Sequence, residues 1–243
     1  MKKLFYAAVT AAWLLLPGVA AAQDATLSIG GDGSLSTRTI GLVAMLTVLS
    51  LAPGILMTVT SFTRIVVALS LLRTGLGAQG VPPNPVIISL AMFLSIFVMG
   101  PTFERAWDTG IKPYTQGQLE ESVAFERTAE PFKEFMLGQV RADDLAMFND
   151  LSNEPVKSRD AVPLGTLVPA FMISELRRAF EIGFLLLLPF LVIDLAVSAV
   201  LMAMGMMMLP PITIAMPCKI IFFVLVDGWA LVAGSLIRSF GTG

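Results

Sequence analysis

An all-α, membrane-type chain is predicted by three features. The 243 residues are 56% hydrophobic and only 14% charged. Mean hydropathy is +0.81, far from a soluble domain with about a quarter of its residues charged. Long apolar runs are punctuated by Pro and Gly, and no alternating strand pattern or internal repeat competes with helices. A net charge of −2 gives no basic footprint for nucleic acid. The absence of histidine removes the usual general base and the commonest metal ligand. No nucleophile stands with a base, and no metal or nucleotide motif is convincing, so neither an enzyme nor a cofactor is expected.

The N-terminus reads as a signal peptide over residues 1–22. Lys2 and Lys3 precede an apolar stretch from Leu4 to Leu16, and Ala20-Ala21-Ala22 ends it, so cleavage is expected between Ala22 and Gln23. Residues 23–38, rich in Gly, Ser and Asp, read as a flexible exported arm; Gly30-Gly31-Asp32-Gly33 lacks the Gly-Lys-Ser/Thr of a phosphate loop.

Residues 39–103 form the first apolar helical hairpin, with helices interrupted at Pro53-Gly54 and Gly100-Pro101. Arg64 and Arg73 flank Ile65 to Leu72 and read as a cytoplasmic turn by the positive-inside rule. Residues 104–165 carry most of the charge and read as a helical insert outside the cytoplasm. There Pro131 suits a helix start, and Asp143 and Asp144 suit the cap of a short helix. The apolar residues Phe132, Phe135, Met136, Val140, Leu145, Phe148 and Leu151 must bury either on this chain or on a neighbouring copy.

Residues 166–243 form the second hairpin. Thr166 is expected to cap a helix stabilised by Glu175 with Arg178 and Arg177 with Glu181, and kinked at Pro189. The apolar runs Phe184–Met204 and Ile212–Ile237 flank a tip, Gly205 to Pro211, holding Met206, Met207 and Met208. Together the apolar runs give four candidate crossings. Asp194 and Lys219 lie about 14 residues before and about 10 after the turn, so their depths match within about 6 Å. A charge at bilayer depth costs roughly 2.5–3.5 kcal/mol, so such residues pair. The pair closes within one chain or between copies, and acts as a register-fixing bridge or a proton relay. The methionines are either gap filler or an adaptable apolar seal. Cys218 reads as packing filler, and Trp229, beside Asp227, as an interfacial anchor.

Two stretches carry a family resemblance. Pro169-Ala170-Phe171-Met172-Ile173-Ser174-Glu175-Leu176-Arg177-Arg178-Ala179-Phe180-Glu181-Ile182-Gly183 resembles the first signature of the FliP family, the P subunit of the flagellar type III export gate. Pro217-Cys218-Lys219 with Leu225-Val226-Asp227-Gly228-Trp229 resembles the second. Thr60 to Ile65 and Pro82-Pro83-Asn84 also fit. The resemblance implies a helical, dome-like ring of broken hairpins, raised above the plane of the bacterial inner membrane at the flagellar basal body. It implies passage of unfolded flagellar proteins, with no catalysis. Implied partners are further copies in a pentameric ring, the Q and R gate subunits, the neighbouring export-gate component and a FliO-type assembly factor. Asp194 and Lys219 then correspond to an inter-subunit salt bridge, Met206 to Met208 to a gasket, and Glu175 and Phe180 to subunit contacts. The corresponding virulence-injectisome subunit and an ion-coupled transporter are the alternatives.

Overall fold

The computed structural model describes residues 42–43, 46–47, 50–51, 54–55, 57–78, 80–152, 156, 158–206 and 210–241. The signal-peptide and arm expectations, with Ala22 and Gln23, lie outside the described residues, as does Pro53. The chain divides between Ala52 and Pro53 into two compact units. In the first, every described residue is helical and exposed. The second carries the rest; every regular element among its described residues is helical, with no strand.

Helix α1 (Phe62–Leu76) buries Ile65, Ala68, Leu69, Leu72 and Leu76, a stripe at helical spacing. It ends on Gly77, whose φ of 70° is the left-handed cap that glycine supplies without strain. Helix α2 (Asn84–Ala106) starts after Pro83, with Pro85 in its first turn. The interruption expected at Gly100-Pro101 does not occur: Pro101 lies inside an unbroken helix. The irregularity comes later, as a π-helical turn at Trp107–Ile111 leading into α3 (Lys112–Thr115). Gly110 lies in that turn, where a Cβ would meet the Thr128 backbone nitrogen at 2.8 Å.

The insert holds α4 (Glu121–Gln139) and α5 (Ala142–Asp150). Pro131 is buried inside α4 and does not start it. Arg141, in extended conformation, occupies the N-cap position of α5, and Asp143 and Asp144 fall in its first turn. The apolar insert residues bury on their own chain. Met136, Val140 and Leu145 form a core with Leu167, Ala170 and Phe171, and Phe135 and Phe148 pack against it. Leu151 is the exception at 75% exposed.

Helix α6 (Leu164–Ala203) runs unbroken for 40 residues, about 60 Å. Pro163, not Thr166, stands at its N-cap position, and Pro169 and Pro189 are inside it. Its first half buries Leu167, Ala170, Phe171, Ser174, Glu175, Ala179 and Gly183, while after Gly183 only Phe190 and Leu201 are buried. Beyond the turn, α7 (Pro211–Leu225) and α8 (Gly228–Arg238) meet at 67°. The bend falls at Asp227, which holds φ 51°. A second core joins α1, α2, α6, α7 and α8 through Leu69, Leu72, Ala91, Phe190, Phe223 and Leu236.

Of the four expected crossings, two described helices are long and apolar enough to span a membrane, and the bent α7–α8 pair makes a third. The remaining run, residues 39–59, is only partly described.

Candidate functional site

Two buried cations hold the second unit together. Arg64 follows the buried Ser61 and precedes Ala68 and Leu72 at four-residue intervals, so helical geometry turns it inward, and it is wholly buried. Its guanidinium forks onto Glu175 of α6, also wholly buried. Nε donates to Oε2 at 2.9 Å and Nη2 donates to Oε1. Nη2 also donates to Gln139 Oε1 at 2.9 Å, and Nη1 to the Ser239 carbonyl at 3.0 Å and its hydroxyl at 3.2 Å. The Phe240 ring covers the cation, 3.7 Å from Cζ to the ring centroid. Gln139 Nε2 donates to the Phe240 carbonyl at 3.2 Å, and Arg178 Nη1 to Gln139 Oε1 at 3.1 Å. One guanidinium thus ties α1, α4, α6 and the chain end. Bidentate Arg–carboxylate geometry with the remaining donors satisfied is what a buried ion pair needs to offset desolvation.

Lys219 is the second buried cation. Its ammonium donates to Asp194 Oδ2 at 2.6 Å and to the Gly75 carbonyl at 3.0 Å. The Lys219 side chain is 5% exposed and that of Asp194 39%. The Gly75 carbonyl lies in the last turn of α1, where carbonyls lack intrahelical partners and the helix dipole favours a cation. Close approach makes this contact possible. A Cβ on Gly75 would meet Leu187 Cδ2 at 2.5 Å, and one on Gly183 would meet Leu71 Cδ1 at 2.2 Å, so both glycines let α1 lie against α6. Lys219 therefore joins the two arms of the hairpin to α1.

The chain matches the FliP family over residues 45–236. It is 58% identical over 231 residues to the flagellar biosynthetic protein FliP of Caulobacter vibrioides, covering 94% of this chain and 87% of that one. To the protein of the same name from Agrobacterium fabrum it is 52% identical over 239 residues, covering 96% and 98%. To that of Bacillus subtilis it is 50% identical over 206 residues, covering 84% and 93%. The chain belongs to the FliP family.

Within this FliP-family fold the expected site residues separate. Asp194 and Lys219 do meet, but within one chain, where the resemblance implied a bridge between subunits. Antiparallel arms joined by a short turn bring them to one depth. Glu175, expected as a subunit contact, is spent inside the chain on Arg64. Phe180, five residues on, faces outward at 58% exposed. Met206 is exposed at the turn, while Met207 and Met208 lie outside the described residues. Cys218 is exposed on α7, not packed as filler. Trp229 packs edge-on against Phe223 and is 39% exposed.

The pairings expected along α6 are replaced by bonds to the insert. Glu181 pairs with Arg141 at 3.5 Å and Arg177 with Asp144 at 3.7 Å. The Ser174 hydroxyl donates to the buried Asp144 carboxylate at 2.7 Å and accepts the Arg141 N–H at 3.1 Å. Sequence reasoning missed Arg64, Gln139 and Asp144 as site residues. For Arg64 a signal existed: a basic residue in register with an apolar stripe is an inward charge, not a topological flank.

Proposed function

We propose that this chain is a core subunit of the flagellar type III protein export gate, helping to form the channel through which unfolded flagellar proteins cross the inner membrane. The observation that carries this reading is the match, near the full length of both chains, to proteins named flagellar biosynthetic protein FliP. The subunit is structural and does no catalysis. It works in a pentameric ring of its own copies with the Q and R subunits, a neighbouring export-gate component and a FliO-type assembly factor. The insert faces the periplasm. The apolar outer faces of α2, α6 and α7, and Phe180 beside them, are surfaces for sister subunits and lipid. Met206, Met207 and Met208 converge as the gasket. Asp194 and Lys219 act as a static clip at its base, which fits an ammonium held by two acceptors better than a proton path.

Complementation tests this function. Deleting the gene in the bacterium that carries it is expected to abolish secretion of hook and filament proteins, measured by immunoblot of the culture medium, and a plasmid copy to restore it. Normal flagellar secretion in the deletion strain would overturn the reading. Loss of injectisome substrates alone would assign the chain to the virulence apparatus.

A further inference from the structure

Helix α8 begins at a pivot. The chain turns by 67° between α7 and α8. The α7 ladder closes with the Val226 N–H on the Phe222 carbonyl and the Asp227 N–H on the Val224 carbonyl. The α8 ladder opens with the Leu231 N–H on the Asp227 carbonyl. Asp227 therefore gives its N–H to one helix and its carbonyl to the next. It is the only described non-glycine residue with positive φ, at 51°. Aspartate is among the few side chains that enter this left-handed region readily. Gly228 lies against the Phe223 ring, where a Cβ would meet Cε2 at 2.2 Å.

From that pivot α8 is held by one narrow stripe and by its far end. Its buried residues are Gly228, Val232 and Leu236, spaced by four, and the buried Phe240 extends the stripe by four more. Polar attachment is concentrated in the two residues that follow the helix. Ser239 accepts both bonds from Arg64 Nη1, and its hydroxyl donates to the Leu236 carbonyl at 2.7 Å. The Phe240 carbonyl accepts from Gln139, and its ring covers Arg64 and stacks on Phe135 with centroids 6.3 Å apart.

The charge pair beneath stays paired without this cover. With Ser239 and Phe240 withdrawn, Arg64 keeps its fork onto Glu175 and its bond to Gln139. Nη1 alone loses its acceptors, and water entering the opened site replaces them. Swinging α8 away thus strands no ion, whereas parting α1 from α6 strands two. Segments held by few buried contacts open locally, as cooperative units, at less than the cost of global unfolding.

We infer that α8 with Ser239 and Phe240 is a latch, hinged at Asp227 and caught by the Phe240 ring on Arg64. It opens as a unit while α1, α4 and α6 stay folded, and its opening uncovers the Arg64–Glu175 pair. Every contact involved lies within one chain, so the latch does not depend on the export reading.

Hydrogen exchange of the full chain in detergent, read by mass spectrometry, tests the latch. Residues 228–240 are expected to exchange together, and about tenfold or more faster than residues 164–183 in the buried half of α6. Phe240→Ala removes the catch. It is expected to speed residues 228–240 by a further factor of about ten or more, as loss of a desolvated cation–π contact implies, and to leave residues 164–183 unchanged. Uniform acceleration of all segments in that variant would make Phe240 an ordinary core residue and overturn the latch. Acceleration of none would overturn it too. Should the variant fail to accumulate, the unsubstituted chain still decides, because exchange of residues 228–240 at the rate of 164–183 would make α8 part of the core.

Discussion

Arg64→Leu is expected to cost about 3–5 kcal/mol, because it strands the wholly buried Glu175 carboxylate and removes the donors serving Gln139 and Ser239. Typical stabilities are about 5–15 kcal/mol, so such a loss consumes much of the margin. The substituted chain is expected to lose resistance to limited proteolysis in detergent and to fall in steady-state level. Glu175→Leu is expected to do the same by stranding the guanidinium. The double substitution removes both charges together and recovers part of the loss, since a neutral apolar pair carries no uncompensated ion. Recovery stays partial, because Gln139 and the chain end keep polar groups that pointed at Arg64. Unchanged protease resistance in either single variant would contradict the account of this centre.

The second large effect is an asymmetry at Asp194 and Lys219. Asp194→Ala leaves the ammonium in a site where its side chain is 5% exposed, with only the Gly75 carbonyl as acceptor. Lys219→Met leaves a carboxylate that is 39% exposed and can turn to water. A charge-assisted hydrogen bond contributes roughly 1.5–3 kcal/mol, and partial exposure lowers the share belonging to the pair. Asp194→Ala is therefore expected to be the more damaging by about 1–2 kcal/mol, read from unfolding midpoints in detergent. The swap Asp194→Lys with Lys219→Asp is expected to restore only part, because a carboxylate at 219 cannot donate to Gly75. Equal effects from the two single substitutions would contradict the clip at the end of α1.

How much of this was legible in the sequence depended on whether a residue's role was local. The helical class, the hairpin around the methionine turn and the depth match of Asp194 with Lys219 follow from composition and residue spacing. What a proline does to a helix does not: the break expected at Pro101 and the start expected at Pro131 both fall inside helices. A missing N–H removes one bond and leaves the helical ladder on either side in place. The supposed i,i+3 and i,i+4 pairs along α6 failed for a different reason. Spacing permits them, but Glu175 faces the core and Glu181 faces the insert, so tertiary partners won. The bonds from Arg64 to Gln139 and Ser239 join residues 75 and 175 apart, which no local pattern encodes.

We propose that the methionine turn seals a protein-conducting pore, with the two buried cations holding its arms in place. Conductance across a planar bilayer containing the assembled complex tests this most directly, comparing the unsubstituted chain with one carrying Gly at Met206, Met207 and Met208. A steady leak of small ions through the substituted complex, absent from the unsubstituted one, is the predicted result. Equal, tight conductance in both would contradict it.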